Sequence, residues 1–351
     1  MDQLASGALR VGVLGAAKIA RSFISGVKPS TRVVVAAVAS RTAEKAERFA
    51  RETGVPRFHA SYEALLADPE IDAVYNPLPN SLHAEWSIRA CEAGKHVLCE
   101  KPLCTSGDEA RAMFTAARKK GVHLVEGYPY RAQPQTISLL ELIHSGAIGQ
   151  LQLIQSSFGF TLSAGPNIRI NSQLAGGSLM DAGTYPVSLI CMAAKERPSR
   201  VHAVAHWTHG VDSALAATLE FKSGLLAQIT SSFSTSVHRQ ALIAGTAGVM
   251  QTPFLNHPPL DRPAEFLVKR GIGADKDYEK VQTPALNGFR AEAESFAGLV
   301  RGTNTDGTAA SATGTGAAAR WDGPSPGESM DIALTLEAIL QSARAGRPVD
   351  L

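Results

Sequence analysis

Strands and helices alternate through the first third of this chain, and this alternation restricts its fold more than any other feature. Apolar runs typical of buried strands include LRVGVLGAA, RVVVAAVAS and IDAVYNPLP, and each precedes a segment with helical spacing. Such an order predicts a parallel sheet with helices on both faces, joined by right-handed crossovers. We therefore expect an α/β Rossmann dinucleotide-binding domain over residues 1–130.

The pattern changes after residue 130, where strand-like runs follow one another with only turns between them. These runs are LQLIQSSFGFTL, RVHAVAHWTH, LAATLEF, LLAQITSSFST and QALIAGTAGVMQT. They predict a large, mostly antiparallel sheet within a C-terminal α+β domain over residues 131–351. Residues 302–328 are rich in Gly, Ala and Thr, which is typical of a surface loop without its own core.

Charge and cysteine usage exclude several classes of partner. The chain has 351 residues with 34 basic and 32 acidic side chains spread along it, so no basic block indicates nucleic acid or an anionic membrane. No apolar run is long enough to span a bilayer, and the N-terminus lacks a secretion signal, so we expect a cytoplasmic protein. The cysteines fit a reducing compartment and lack the paired spacing of a structural zinc site; they are Cys91, Cys99, Cys104 and Cys191.

A dinucleotide fingerprint stands at the first strand-to-helix turn. Gly15, Ala17 and Ala20 have the spacing of G-x-G-x-x-G, with alanine in the second and third places. The chemistry requires a tight turn and helix amides aimed at a pyrophosphate, so we expect cofactor contacts from Gly15, Ala17, Lys18 and Ile19. A generic strand-to-helix turn is the alternative.

The end of the second predicted strand indicates which dinucleotide binds. A carboxylate there would hold the ribose 2′-hydroxyl of NAD, but this chain has Ser40 and Arg41, with Lys45 one helical turn later. A hydroxyl and two cations suit a 2′-phosphate, so we expect NADP(H), with NAD possible. The alternative is that Arg41 and Lys45 are solvated surface charges.

Two loops follow later parallel strands, at the sheet edge where ligands bind in open sheets. The stretch NPLPNSLH contributes Pro77, Asn80 and His83, and its prolines stiffen the loop. In the stretch EKPL, Pro102 disfavours a helical conformation at Lys101 and so presents this lysine from an extended turn. A surface lysine is the alternative.

The stretch GGSLMDAGTYP, residues 176–186, places Asp181 four residues before Tyr185. From the residues alone, these two side chains are either a catalytic pair or a capping acid and a packed aromatic at a helix start. The stretch itself does not decide between the two.

Seven stretches together resemble the Gfo/Idh/MocA oxidoreductase family, named after glucose-fructose oxidoreductase and inositol dehydrogenase. Within it the chain is most similar to the branch of sugar 1-dehydrogenases and dihydrodiol dehydrogenases. The resemblance implies a C-terminal domain with an open-faced sheet that mediates homodimers or homotetramers. The stretches cover most of residues 9–190: GAAKIA, VASRTAEKA, NPLPNSLH, CEKPL, EGYPYRAQPQ, NIRI and GGSLMDAGTYP.

The resemblance also implies roles for single residues. Lys101 and Tyr185 would face the nicotinamide ring, and Asp181 would line the same site. Further residues would touch the cofactor or shape its pocket; these are Glu100, His83 and Arg169. The branch commonly reads Y-R-x-H-P-Q where this chain has YRAQPQ, so Gln133 replaces a histidine.

These residues predict an NADP-dependent oxidoreductase acting on a hydroxyl or carbonyl carbon of a sugar or cyclic polyol. Removing the hydroxyl proton as hydride leaves requires a base, and a nearby cation favours the phenolate form of a tyrosine. Our hypothesis is that Tyr185 is the general acid/base, Lys101 tunes it and bonds the substrate oxygen, and Asp181 positions substrate or lysine. Alternatives are a trans-dihydrodiol dehydrogenase, a keto-sugar reductase and a non-catalytic NADP-binding sensor. We expect no metal, since no His, Asp or Glu cluster has ligand spacing.

Overall fold

The computed structural model describes residues 7–163, 165–303 and 321–351. These residues divide into two compact units. The first unit takes its described residues from Met1–Leu103, Asp108–Ala132 and Asn287–Pro326. The second unit takes them from Cys104–Gly107, Gln133–Leu286 and Gly327–Leu351. Most of the 302–328 loop predicted from composition lies outside the described residues.

The first unit is built on a parallel sheet, as predicted, with the strand order β3-β2-β1-β4-β5-β6 among its described residues. This order places the carboxyl ends of β1, β2, β4 and β5 along one edge, where open α/β sheets bind ligands. The strands are β1 (Leu9–Leu14), β2 (Val33–Ala39), β3 (Arg57–His59), β4 (Ala73–Asn76), β5 (His96–Glu100) and β6 (Leu124–Gly127). The helices are α1 (Lys18–Val27), α2 (Ala43–Thr53), α3 (Tyr62–Leu66), α4 (His83–Glu92), α5 (Gly107–Lys120) and α8 (Gly288–Arg301).

Helix α8 corrects the division made from the sequence, which assigned all residues beyond 130 to the second domain. Its apolar face carries Phe289, Ala293 and Phe296, which are buried in the core of the first unit. The Phe289 ring packs edge-on against Phe23 of α1, with centroids 6.0 Å apart. The helix belongs to the first unit because its apolar face is buried in that unit's core. Its position in the sequence, after the strands of the second unit, gives no sign that the chain comes back to the first unit.

The second unit contains a nine-stranded sheet in the order β14-β13-β12-β11-β7-β10-β9-β8-β15 among its described residues. Its strands pair antiparallel except for β7 and β10, which run parallel, so the prediction of a mostly antiparallel sheet is confirmed. The strands are β7 (Leu151–Thr161), β8 (Arg200–Thr208), β9 (Val211–Glu220), β10 (Leu226–Ser232), β11 (Ser234–Gly245), β12 (Gly248–Thr252), β13 (Ala264–Arg270), β14 (Glu279–Thr283) and β15 (Val349–Asp350). The helices are α6 (Pro134–His144), α7 (Thr184–Ala194) and α9 (Pro326–Ala345).

Several element boundaries in the second unit differ from the sequence-based prediction. The run QALIAGTAGVMQT is not one strand, because it turns between β11 and β12. Residue Phe233 separates β10 from β11 within the run LLAQITSSFST. Helix α6 and strands β13 and β14 were not predicted, since Pro134 in α6 and the short, charged strands obscure their periodicity.

The two faces of this sheet differ in exposure. Ile154, Ile229 and Ile243 are buried on one face, the face against which α7 packs. The alternate positions, such as Gln155 and Gln228, are exposed on the other face. One face therefore forms the core of the second unit and the other is polar and uncovered within that unit.

Within residues 7–163, 165–303 and 321–351, every helix is too short or too polar to cross a lipid bilayer.

Candidate active site

The turn between β1 and α1 has the geometry that the fingerprint predicts. Gly15 adopts a φ of 93°, and its amide donates to the carbonyl of Ala39 over 2.8 Å. A Cβ at this position would lie 2.9 Å from a methyl of Leu78, so a side chain is excluded by backbone conformation and by space. Lys18 and Ile19 begin α1 and are exposed.

The N-terminus of α1 is suited to an anion. Among the described residues, no side chain hydrogen-bonds at its N-cap, Ala17, and its first turn contains no acid. The first backbone amides of a helix have no partner inside the helix and attract negative charge. The chain's own residues therefore fit the pyrophosphate of a dinucleotide at this turn.

The end of β2 presents the predicted cations. Ser40 is buried directly after the strand, whereas Arg41 and Lys45 are exposed. Thr42 caps α2 by accepting from the backbone N–H of Lys45, which fixes this lysine in the first turn of α2. A hydroxyl and two cations at the strand end form a donor set that fits a phosphate monoester.

His83 lies in the interior of the first unit. Its Nδ1 is 2.8 Å from the Pro102 carbonyl oxygen and its Nε2 is 2.7 Å from the Leu78 carbonyl oxygen. Burial lowers the pKa of His83, while the two carbonyls oppose this by favouring the charged ring. The side chain is 1 % exposed, so in this unit it ties the loop after β4 to the segment after β5. Pro77 is buried in that loop, and Asn80 opens the short 3₁₀ turn that precedes α4.

Buried side chains fix the residue that precedes Lys101. Glu100, the last residue of β5, accepts a hydrogen bond of 2.5 Å from the Tyr75 hydroxyl. The Tyr75 ring stacks on Phe23 with centroids 3.9 Å apart, which fixes the hydroxyl. Lys101 follows as a half-buried residue, and its peptide bond to Pro102 is cis.

Sequence reasoning missed a buried acid beside this segment. Glu292 of α8 is 1 % exposed, and burial followed by the negative charge of Glu100 raises its pKa well above the ordinary value. Both effects favour the protonated form of this carboxyl. The acid lies on the apolar face of α8, three residues after Phe289 and four before Phe296, and this spacing is the signal by which it was detectable.

In the second unit, the structure brings Asp181 and Arg169 together. Arg169 Nε donates to Asp181 Oδ2 over 2.6 Å, and both side chains are partly exposed. Asp181 belongs to a π-helical segment, Leu179–Gly183, which runs directly into α7. The N-cap of α7 is Gly183, and Asp181 is the acid in the first turn of the π-helical segment.

Tyr185 is enclosed by side chains that the sequence did not single out. Its hydroxyl accepts a hydrogen bond of 2.8 Å from Asn256 Nδ2. The guanidinium of Arg239 lies over its ring at 4.4 Å from the centroid, and Phe158 packs edge-on at 5.4 Å. Arg239, Asn256 and Phe158 come from β11, the segment after β12 and β7, and no short motif links such distant positions.

The loop before Asp181 is anchored by Asp212, which was also missed. This 1 % exposed carboxylate accepts from Ser178 Oγ and from the backbone N–H of Leu179, both at 2.7 Å. Burial raises the pKa of Asp212, while these hydrogen bonds oppose the rise. Gly177 adopts a φ of 125°, and a Cβ there would overlap Asp212 Oδ1.

Gln133, where the branch usually has histidine, supports the same group of residues. Its Nε2 donates to the carbonyls of Asn256 and Leu286 over 2.9 and 2.8 Å, and the side chain is 1 % exposed. An amide nitrogen offers two N–H groups to these two acceptors, whereas a neutral histidine has one N–H. The amide nitrogen of Gln133 therefore fixes the backbone of Asn256.

Among the residues that the structure describes, no three His, Cys, Asp or Glu side chains converge as metal ligands would. The four cysteines are buried and form no disulfide within the same residues.

Comparison with known proteins identifies related oxidoreductases. Residues 9–128 match the family model described as "Oxidoreductase family, NAD-binding Rossmann fold", and residues 137–251 match the GFO/IDH/MocA C-terminal domain. The chain is 37% identical to a D-xylose 1-dehydrogenase (NADP(+)) of Haloferax volcanii over 345 residues, which cover 97% of this chain and 99% of that protein. It is 35% identical to a trans-1,2-dihydrobenzene-1,2-diol dehydrogenase of Danio rerio, with 70% and 75% of the two chains covered.

A solved structure shows the same architecture. KijD10, a 3-ketoreductase from Actinomadura kijaniata crystallised with NADP and TDP-benzene, superimposes with a TM-score of 0.82 at 29% identity. The match covers 95% of this chain and 98% of that one. With both domains matched and a relative aligned over nearly its whole length, the chain belongs to the GFO/IDH/MocA family of oxidoreductases.

Proposed function

We propose that this protein is an NADP-dependent oxidoreductase that moves a hydride between the nicotinamide and a CH–OH carbon of a sugar or cyclic polyol. The observation that carries the proposal is near full-length similarity to an NADP(+)-dependent D-xylose 1-dehydrogenase, 37% identical, in a chain that has both Lys101 and Tyr185. A non-catalytic sensor would have no need of this acid/base pair.

The proposed cofactor site lies along the carboxyl edge of the first unit's sheet. Gly15 and the first turn of α1 would hold the pyrophosphate, with Ala17, Lys18 and Ile19 at the helix start. Ser40, Arg41 and Lys45 would hold the 2′-phosphate, which favours NADP(H) over NAD(H). His83 and Glu100 would act by fixing the loops around the nicotinamide end. Bound NADP⁺ would supply the hydride acceptor.

The proposed chemistry uses one residue as base and two as supports. Tyr185 would take the hydroxyl proton as the C–H hydride departs, and would return it when a carbonyl is reduced. Lys101 would bond the substrate oxygen and stabilise negative charge on it. Asp181, oriented by Arg169, would accept a hydrogen bond from a neighbouring substrate hydroxyl.

A trans-dihydrodiol substrate is the second candidate. The aromatic neighbours of Tyr185 favour it, since Phe158 packs edge-on against the phenol and Phe160 lies 5.9 Å from Phe158. A flat cyclic diol would stack on such rings. The exposed part of Asp181 favours a substrate with several hydroxyls, which is why we place sugars first.

The test is spectrophotometric. Purified protein is mixed with NADP⁺ or NAD⁺ and with D-xylose, D-glucose, myo-inositol or a trans-dihydrodiol, and absorbance of the reduced cofactor is followed. We expect turnover with NADP⁺ and at least one aldose, with NAD⁺ less effective. A protein that binds NADP⁺ but turns over no member of this panel, nor reduces a 3-keto sugar with NADPH, would contradict the proposal.

We also propose that the polar face of the nine-stranded sheet joins copies of this chain into a homodimer or homotetramer. This face presents side chains that can hydrogen-bond a partner, such as Gln155, Gln228 and Gln240, and an exposed apolar residue, Leu226. Light scattering would contradict this proposal by giving a mass of one chain. We also propose a reducing, cytoplasmic setting, in which the four buried cysteines would form no disulfide, as is the case among the described residues.

A further inference from the structure

The second unit by itself holds two polar or charged groups in contact with the Tyr185 phenol. One is the Asn256 amide nitrogen, 2.8 Å from the phenol oxygen, and the other is the Arg239 guanidinium, 4.4 Å from the ring centroid. We infer that Arg239 and Asn256 together stabilise the phenolate form of Tyr185, and that Gln133 is a positioning residue for Asn256. This inference depends on the proposed role of Tyr185 as the acid/base.

Arg239 is fixed in place by the sheet and by aromatic rings. It lies two residues before the buried Ala241 on β11, so it faces the covered side of the sheet, where charged side chains are rare. Its guanidinium lies over Phe158 at 3.9 Å as well as over Tyr185 at 4.4 Å, and 6.0 Å from the Phe254 centroid. A cation held against a phenol ring stabilises the negative charge that ionisation spreads into that ring.

Asn256 supplies the second contribution as a hydrogen-bond donor. An N–H donated to the phenol oxygen strengthens when that oxygen becomes negative, so the bond favours the ionised form. The backbone of Asn256 is held by Gln133, whose other N–H binds the carbonyl of Leu286. Gln133 therefore fixes the distance and direction from which Asn256 approaches Tyr185.

Other charged or titratable groups of the second unit also lie near Tyr185 or Arg239. Asp181 stands one helical turn before Tyr185, and its negative charge opposes ionisation of the phenol. Its pairing with Arg169 at 2.6 Å offsets that effect. His257 follows Asn256, is exposed, and interacts electrostatically with Arg239. Phe158 and Phe254 contribute no charge.

Two cations, Arg239 and Lys101, would have different roles in the proposed reaction. Arg239 and Asn256 would favour the phenolate form of Tyr185 from within its own unit, in addition to Lys101, which would also bind the substrate oxygen. Loss of Arg239 would then change the pH dependence of the reaction, and loss of Lys101 would in addition lower turnover at every pH.

The experiment measures ionisation of Tyr185 by a spectroscopic signal that does not depend on enzyme activity, and compares it with the pH dependence of activity. The ultraviolet difference spectrum between the parent protein and Tyr185→Phe is followed against pH, so that one phenol is isolated from the six in the chain. The same spectrum is then recorded in Arg239→Met, Arg239→Lys and Asn256→Asp backgrounds, each against its own Tyr185→Phe partner. The acid limb of kcat/KM is measured in parallel.

We expect the phenolate midpoint and the acid limb to move together to higher pH in Arg239→Met, since this variant removes the cation that lies 4.4 Å from the ring centroid. Arg239→Lys keeps the charge and should move them by less. Asn256→Asp places a carboxylate at the phenol oxygen and should move them at least as far as Arg239→Met. Gln133→His, which loses one of two bonds, should shift them in the same direction by a smaller amount.

Arg344→Met is the matched control, because Arg344 lies over an aromatic ring of the same unit, Trp207, at 5.6 Å. It should leave the midpoint and the acid limb unchanged. Equal phenolate midpoints in the parent and in a folded Arg239→Met protein would overturn the inference. Arg239→Lys, which keeps the charge, shows whether the fold tolerates substitution at this position. If the midpoint shifts while Tyr185→Phe retains full activity, the electrostatic inference holds and the proposed catalytic role of Tyr185 fails.

Discussion

Removing the Asp212 carboxylate should loosen the loop that leads into α7, the helix that carries Tyr185, and the contacts of Asp212 give the size of the effect. The side chain is 1 % exposed and accepts two hydrogen bonds of 2.7 Å, from Ser178 and Leu179. A hydrogen bond to a charged group contributes about 1.5–3 kcal/mol, so the two together contribute roughly 3–6 kcal/mol. Relief of the buried charge in Asp212→Ala offsets part of this loss, which leaves a net destabilisation of about 2–4 kcal/mol.

The assay is thermal unfolding followed by circular dichroism and, on the same samples, turnover. A change of this size lowers Tm by roughly 5–12 °C in a domain of this class. Asp212→Asn keeps the shape and one acceptor oxygen, so it should lie between the parent and Asp212→Ala. The control is Asp277→Ala, since Asp277 is an exposed aspartate of the same unit.

Turnover should fall in Asp212→Ala even at temperatures where the protein is folded, because the freed loop carries the segment with Asp181. A Tm for Asp212→Ala within about 1 °C of that for Asp277→Ala would refute the reasoning, since differences that small are typical of surface substitutions.

Two further predictions concern the first unit. Relative to the parent, Glu292→Gln should be increasingly stable as pH rises above about 4.5, by about 1.4 kcal/mol for each pH unit up to the raised pKa of Glu292, because the folded parent must keep a proton there that the unfolded chain has lost. Denaturant unfolding at a series of pH values checks this, and a stability difference that does not change with pH would contradict it. Arg41→Ala should weaken NADP⁺ binding by about tenfold or more while leaving NAD⁺ binding within about twofold, because only NADP⁺ carries the 2′-phosphate. Equal losses of affinity for NADP⁺ and NAD⁺ in calorimetric titrations would show that Arg41 does not contact that phosphate.

The first unit was largely predictable from the sequence because its signals are local. Buried parallel strands appear as continuous apolar runs, and the glycine turn follows the first of them within one short stretch. The placement of Gly15, Ser40 and Arg41 along the sheet edge follows from topology alone. The packing of α8 in the first unit was not predictable, because Phe23, which Phe289 of α8 contacts, lies more than 260 residues earlier in the chain.

The surroundings of Tyr185 show the limit of motif reasoning. The stretches GGSLMDAGTYP and NIRI identified Asp181, Tyr185 and Arg169, but Arg239 and Asn256, which contact Tyr185, belong to no predicted motif. Antiparallel strands joined by turns alternate in exposure, so an inward arginine such as Arg239 is inconspicuous in a strand with several polar residues. Asp212 was hidden for the same reason, since a strand-start aspartate is ordinarily read as a turn residue.

The central claim is that the phenol oxygen of Tyr185 exchanges the substrate proton, and Tyr185→Phe tests it most directly because the buried ring is retained and only that oxygen is lost. With NADP⁺ and the best aldose of the panel, kcat should fall by at least about 100-fold, the range expected for losing a general acid/base, while the Kd for NADP⁺ stays within about twofold. Turnover near the parent value with unchanged NADP⁺ binding would contradict the claim.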